Sequence, residues 1–282
     1  MFPFMQSRLS AAHSAAHSAL LCAALLALPA LPVQAHEFWI DPVAPQIATD
    51  TPLVADIRVG EMFKGGAYSY LEPNFQRFEI VMGDIVTPVT GRAGDSPALN
   101  MAPPGKGLAI VVHVTRTYRL TYDSLEKFAS FVAHKDADWV MQAHAERGLP
   151  DTGFAERYVR YAKSLIAVGD GAGADRDTGL EIEIVAGANP YTDDLSAGMP
   201  VQVLYQGALR ADAQIELFAR QKDGEVSVTL HRTDADGRAV LPVAPGSDYL
   251  VDSVVLRPLD PSADTDPVWE SLWASLTFTV PQ

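Results

Sequence analysis

From Leu180 onward the chain repeats one pattern: short runs alternating apolar and polar residues, each closed by a turn signal. Leu180–Val185, Val201–Tyr205, Ala213–Ala219, Val226–His231, Arg238–Val243, Tyr249–Leu256 and Trp273–Val280 make seven such runs. A period of two places successive side chains on opposite faces of a strand. Lys222-Asp223-Gly224 and Asp234-Ala235-Asp236-Gly237 supply turn formers between them. Seven short strands in roughly 100 residues restrict this region to a two-layer β-sandwich of immunoglobulin-like or transthyretin-like type.

The first half carries the same signal less regularly. Leu53–Val59, Arg77–Met82 and Leu108–Thr115 are apolar runs bounded by Pro and Gly, and the last is the most β-branched, as expected of a central strand. Residues 36–123 are therefore expected to form an N-terminal β-sandwich. Residues 124–168 change character: Leu125, Phe128, Ala129 and Val132 recur at helical spacing, and Val140–Arg147 closes at Gly148 like a capped helix. Phe154–Ile166 spaces Tyr158, Tyr161 and Leu165 along one helical face, with Arg157, Arg160 and Lys163 recurring every three residues. The reading is an α-helical insertion over 124–168, tied by those cations to acidic surface; a grip on an anionic ligand is the other use of that face. A flexible loop follows over 169–179, rich in glycine and aspartate but without the ligand spacing of a calcium loop. The expected fold class is mainly β: two immunoglobulin-like β-sandwich domains with the helical insertion in or after the first, and 180–282 as the second sandwich.

Residues 1–35 hold one charged residue, Arg8, an apolar run from Ala19 to Leu31, and Pro32-Val33-Gln34-Ala35 before His36. This is the pattern of a signal peptide cleaved after Ala35, and the run is too short for a membrane span. A periplasmic location follows as an expectation, with no membrane insertion after the signal is removed. The single cysteine, Cys22, lies within that segment, so the exported chain would carry neither a disulfide nor a thiol nucleophile. Lys and Arg number 21 against 35 Asp and Glu, a formal charge of -14. Nucleic acid and anionic membrane surfaces demand a basic face, so neither is an expected partner.

Cleavage after Ala35 would give His36 a free α-amine beside its imidazole, a two-nitrogen chelate suited to nickel, copper or zinc. The other histidines of the exported chain are His113, His134, His144 and His231, and no pair has a tight ligand spacing. Any metal site must be assembled by folding. His36 and His113 are the candidate metal ligands, and Glu37 and Glu270 are candidate supporting carboxylates. His134 and His144 read as a solvated helical face and His231 as ordinary surface. In Trp269-Glu270-Ser271-Leu272-Trp273, Trp273 reads as sandwich core and Glu270 as the partner of a cation such as Arg160 or Lys163; a stacking platform for a sugar is the other use of that cluster. No Gly-x-Ser-x-Gly elbow, His-Glu-x-x-His or phosphate loop is present, so the chain is not expected to be an enzyme.

Five blocks, His36-Glu37-Phe38-Trp39, Glu156–Lys163, Asn189-Pro190-Tyr191, Arg232–Ala239 and Trp269–Phe278, resemble in the same order a bacterial family of exported proteins, domain of unknown function 4198. The resemblance covers essentially the whole chain after the signal. That family is often described as similar to a substrate-specific component of nickel or cobalt uptake. The resemblance implies a soluble periplasmic protein that binds one transition-metal ion, nickel, cobalt or copper, for uptake or handling, and that works with a membrane transporter component. The C-terminal half also resembles carboxypeptidase-regulatory-like modules, which implies the alternative of a non-catalytic cell-envelope interaction or carbohydrate-binding module without metal. An N-terminal histidine on a β-sandwich also resembles the copper brace of lytic polysaccharide monooxygenases, the one enzymatic reading. In one place the chain departs from the family: Val254-Val255-Leu256 stands where a valine-histidine-methionine is expected, which removes one potential ligand.

Overall fold

Strand formation follows the β-branched and aromatic runs. In a computed structural model describing residues 36–263 and 265–282, the chain begins with β1 (Glu37–Pro42), β2 (Gln46–Ile47), β3 (Leu53–Glu61), β4 (Lys64–Tyr68), β5 (Phe75–Met82), β6 (Ile85–Pro88), β7 (Leu99–Met101), β8 (Gly107–Thr115) and β9 (Tyr118–Thr121). Two helices follow, α1 (Leu125–His134) and α2 (Trp139–Glu146), and then β10 (Ala155–Val168), β11 (Ile182–Ala186), β12 (Met199–Tyr205), β13 (Ala208–Leu209), β14 (Gln214–Arg220), β15 (Val226–Arg232), β16 (Arg238–Leu241), β17 (Ser247–Pro258) and β18 (Pro267–Val280). The expected signal peptide and its cleavage point lie outside the described residues.

The strands do not separate into two sandwiches. One ten-stranded sheet runs in the order β15-β14-β17-β18-β10-β8-β5-β6, with β2 and β9 also paired to β10, so strands from both halves share it. Two four-stranded sheets complete the structure: β1-β3-β4 with β7 on β3, and β11-β12-β13 with β16 on β12. Residues of β8 show the arrangement. Ile110, Val112 and Val114 pack with Ile182, Ile184 and Val203 of the β11-β12 sheet. Ala109 and Val111 face the other way, packing with Ile40, Leu53 and Ile57 of the β1-β3 sheet. The smaller sheets therefore cover opposite faces of the large one, and β8 is buried along its whole length. The helices cover another part of the β1 side, where Phe128, Phe131 and Val132 pack on Trp269, Trp273 and Val254.

The expected third helix is a strand. Ala155–Val168 is β10, paired in parallel with β18 from Ala155↔Pro267 to Ser164↔Thr277 and antiparallel with β8 and β9. A central strand covered on both faces loses its alternation, because apolar residues are wanted at every position. The recurrence of Arg157, Arg160 and Lys163 is thus not a helical face: odd and even positions point to opposite sides of the sheet. The first two expected helices are present. Ser124 caps α1 by accepting from the Lys127 amide, and Gly148 (φ 63) follows α2 in the left-handed conformation.

Residues 169–179 make specific hydrogen bonds to the segments around them. The Asn189 side-chain amide donates to the carbonyls of Gly171 (2.8 Å) and Gly173 (2.9 Å). The Leu108 amide donates to Ala172 O, and Gly107 (φ 117) lies so close that a β-carbon there would sit 2.6 Å from that oxygen. At the end of this loop Asp175 is buried beside Lys163, whose Nζ lies 2.8 Å from Asp175 Oδ1 and 2.8 Å from Glu183 Oε1. Glu183 also accepts from the Thr178 amide and hydroxyl, and Asp175 from the Ala186 amide. A buried ion cluster is tolerated only when its partners are complete. Lys163→Met leaves two carboxylates buried without their cation and is expected to cost about 3–5 kcal/mol, read as a lowered urea midpoint at unchanged slope; an unchanged midpoint refutes the role.

On the opposite face of β10, Glu156 is buried and accepts from Tyr122 Oη (2.7 Å) and from Ser271 Oγ, which in turn accepts from Trp273 Nε1 (2.8 Å). Burial pushes the Glu156 carboxyl up to about 7, with the hydroxyl donors opposing. The folded state therefore holds a proton that the unfolded chain has already released above about pH 4.5. Stability from this group is present below that pH and is lost as pH rises toward 7. Glu156→Gln, neutral at every pH, is expected to be more stable relative to the parent above pH 7 than at pH 4, by up to about 3 kcal/mol. Denaturant titrations at the two pH values check this, and an equal difference at both overturns it.

Candidate ligand pocket and the dispersed histidines

β1 lies across the middle of the large sheet, against β10 and β18, with Glu37–Ile40 all buried. Its side chains divide between the two halves. Phe38 and Ile40 enter the core beside β5 and β8, whereas Trp39 packs on Phe63, Phe218 and Leu250. A second aromatic run follows in sequence, Tyr68, Tyr70, Phe75 and Phe78, carried by β4, a short 3-10 turn at Glu72–Asn74 and β5. Folding brings Phe38, Tyr70, Phe75 and Phe78 around His113 of β8, and adds Tyr118 and Tyr158 from β9 and β10. They line a pocket of about 120 Å³.

Phe38, Phe75 and Phe78 stand 5.2, 5.5 and 5.0 Å from the His113 ring, each tilted or edge-on to it. Tyr70 braces this group, 5.3 Å from Phe75 and stacked on Phe78. Gly91 makes that seat possible, since a β-carbon there would meet the Tyr70 ring at 2.9 Å. His113 is 6% exposed, and its Nδ1 has no hydrogen-bond partner on another residue, a contact with its own backbone being all that opposes the effect of burial on its pKa. Burial drives its pKa down to about 3, so the imidazole is neutral at any physiological pH. An unpartnered ring nitrogen in such a place carries a desolvation cost that a bound polar group would remove.

Arg160 lines the same pocket from β10. Its position follows from an interruption in the ladder. β10 pairs with β9 up to Tyr158↔Tyr118 and with β8 from Leu165↔Ile110, and between them the Arg160 amide donates to Thr115 Oγ1 (3.0 Å). The guanidinium lies 4.8 Å from the Tyr158 ring centroid and 6.0 Å from that of Phe38. Its Nη2 donates to His36 O (3.3 Å), and its Nε has no partner.

The residues singled out in the sequence do not converge. His36 is exposed at the head of β1, Nε2 3.7 Å from Glu61 Oε1. His113 is buried among the aromatic rings two residues beyond, against Phe38. Glu37 points to a different cluster: Lys135 is paired there with Glu216 (2.8 Å) and Asp252 (3.1 Å), and burial, then the charge of Asp252, pushes Glu37 up to about 8. Glu270 faces the β11-β12 side of the large sheet and pairs with Arg157 and Arg257, not with Arg160 or Lys163. Trp273 is buried as expected, though it stacks on Phe131 of α1 at 5.6 Å rather than between two sheets. Val254 and Leu256 also face the helices.

His144 is a buried residue and no part of a solvated face. Trp269 Nε1 donates to its Nδ1 (3.1 Å), which fixes the proton on Nε2 for donation to Pro150 O (3.1 Å). His134 is half exposed, 3.5 Å from Glu216, and His231 hydrogen-bonds Thr229 on the edge strand β15. Among the described residues no group of three or more His, Asp or Glu side chains is placed to hold a metal ion. The aromatic pocket is the feature the sequence reading missed; its signal was the density of Tyr and Phe over residues 68–78, near the β-branched strand that holds His113.

The strands that line the pocket fall within one family match: residues 33–256 match the family described as Domain of unknown function (DUF4198). No curated protein sequence matches the chain. Two solved structures show weak similarity, each over 86% of this chain. The D0-D1 domain of Intimin is 15% identical, covered over 97% of its length, with a TM-score of 0.20. A tetra-tandem repeat in the extending region of a large adhesion protein is 11% identical, covered over 49%, also with a TM-score of 0.20. Overlap at that level decides neither fold nor function. The family match spans most of the chain, and the protein belongs to the DUF4198 family, whose function is unknown.

Proposed function

We propose that this protein is a non-catalytic, exported binding protein whose small organic ligand enters the aromatic pocket around His113. The observation that carries the reading is the unpartnered Nδ1 of a buried, neutral histidine at a pocket walled by aromatic rings. Small-molecule sites are concave and mostly apolar, with a few placed polar groups that fix orientation. This one has those parts: rings for burial, His113 and Arg160 for orientation. The test is NMR on the purified protein, following the His113 imidazole through a panel of single-ring compounds, charged and neutral. At least one is expected to shift it, with binding constant from pH 5 to 8 because His113 does not titrate there. Phe78→Trp, which fills the space, is expected to abolish binding. A panel in which no compound moves His113 refutes the proposal.

A second reading has its own support: the exposed His36 imidazole with Glu61 at 3.7 Å. If the chain is cleaved after Ala35, the His36 amine and imidazole with Glu61 would offer nickel, cobalt or copper two nitrogens and an oxygen. A periplasmic metal-handling role, delivering to a membrane transporter component, would follow. Titration with copper or nickel is expected to show one equivalent bound by protein beginning at His36, and at least tenfold weaker binding once one residue is added before it. Equal affinity for the two forms removes this reading.

A further inference from the structure

Resting on the pocket reading above, we infer that the ligand class is a monocyclic aromatic carboxylate, its ring among the Tyr and Phe side chains and its carboxylate on Arg160. Size sets the first limit. An apolar cavity of roughly 150 Å³ holds one benzene ring, and this pocket is about 120 Å³. The pocket is partly open to solvent, so a single ring can be seated with its substituent toward the mouth, and a larger ligand would leave most of its surface outside. Shape sets the second: Phe38, Phe75 and Phe78 already hold the planar His113 ring tilted or edge-on at 5.0–5.5 Å, which is the arrangement another aromatic ring would adopt with them.

Charge sets the third. Among the described residues no carboxylate lies within 4.0 Å of Arg160, a condition it shares with Arg116, Arg119, Arg147, Arg210 and Arg238, whereas Arg58, Arg77, Arg157, Arg220 and Arg257 each have such a partner; of the arginines without one, Arg160 alone lines the aromatic pocket. Glu156, buried on the same face of β10, feels the charge of Arg160 but does not bond to it, so the guanidinium at the aromatic pocket keeps donors for an anion. Its Nε is unpartnered and its Nη2 makes one hydrogen bond, so each of these neighbouring nitrogens has an N–H left to donate. Side by side they match the two oxygens of a carboxylate. The guanidinium over Tyr158 and the free His113 nitrogen flank the same Phe38 ring, so a bound ring would meet the cation at one end and the imidazole along its edge.

The experiment compares benzoate with benzyl alcohol, nearly the same size without the charge, by calorimetry on the full chain and on Arg160→Met and Arg160→Lys. Benzoate is expected to bind about tenfold or more tightly than benzyl alcohol, and less tightly as salt is raised. Arg160→Met should remove that preference, and Arg160→Lys, which keeps the charge but not the fork, should retain part of it. Should Arg160→Met not fold, the salt dependence and Arg160→Lys still decide. Equal binding of the two compounds, or a preference that survives Arg160→Met, overturns the inference while leaving the pocket reading intact. Failure of every single-ring compound, neutral ones included, refutes the pocket reading itself.

Discussion

The parallel pairing of β10 with β18 is the constraint on which the rest depends. Its pairs run from Ala155 to Ser164 on one strand and from Pro267 to Thr277 on the other, and they join the two halves into one sheet. Strands paired in parallel need a long connection, here the residues from Gly169 to Asp266, which hold β11 to β17. Burial on both faces follows from the same pairing: β10 and β18 are each covered by a small sheet on one side and by β1 or the helices on the other. The charged groups that this traps on the two strands are matched, Lys163 to Asp175 and Glu183, Glu156 to Tyr122 and Ser271, Glu270 to Arg157 and Arg257, while the Ser164 and Ser275 hydroxyls are not. Unmatched, such groups would cost more than the surrounding apolar burial returns.

Among the described residues seven buried side-chain atoms lack a hydrogen-bond partner, and two of them belong to residues that line one pocket. His113 Nδ1 and Arg160 Nε are both at the aromatic pocket, where the ladder between β10 and its neighbours breaks between Tyr158 and Leu165. Along its other edge β10 stays paired with β18 through this stretch. β1 closes the other side with Phe38, and its own placement is held by Thr277 Oγ1 donating to Ile40 O at 2.7 Å. The seam strand β18 thus positions the wall of the pocket through β1.

The strands were legible because their alternation or β-branching is a local property: each of the seven runs after Leu180 corresponds to a strand, as do the three in the first half. The first two helices were legible for the same reason, Leu125–Val132 through its period and the second through its glycine cap. What failed was information carried by tertiary partners. β10 shows a spurious three-residue recurrence because Arg157, Arg160 and Lys163 are cations with three different partners on two faces of a sheet. The shared sheet was invisible because parallel pairing between residues 155–164 and 267–277 leaves no local trace. The proposed ligand set of His36, His113, Glu37 and Glu270 presumed convergence that spacing alone does not supply, and the sheet separates Glu270 from His113. The pocket could be found only by folding, since its aromatic residues come from six strands and connecting turns.

Why Arg160 should have no carboxylate at ion-pair distance, with Glu156 acting on it only at longer range, is a question of what the pocket would lose. A glutamate beside it would cancel the charge and turn the site into one more ion pair of the kind that closes β10 elsewhere. Without one, the guanidinium is held by weaker contacts, the Tyr158 face and a single backbone carbonyl, that leave its hydrogen-bonding edge free. The negative field of the remaining surface slows the approach of any anion, so affinity at this site must come from short-range contacts, ring burial and paired hydrogen bonds. A site built that way discriminates by shape and by the geometry of its donors, and the one group placed to supply those donors is the arginine that the interrupted ladder sets at the pocket wall.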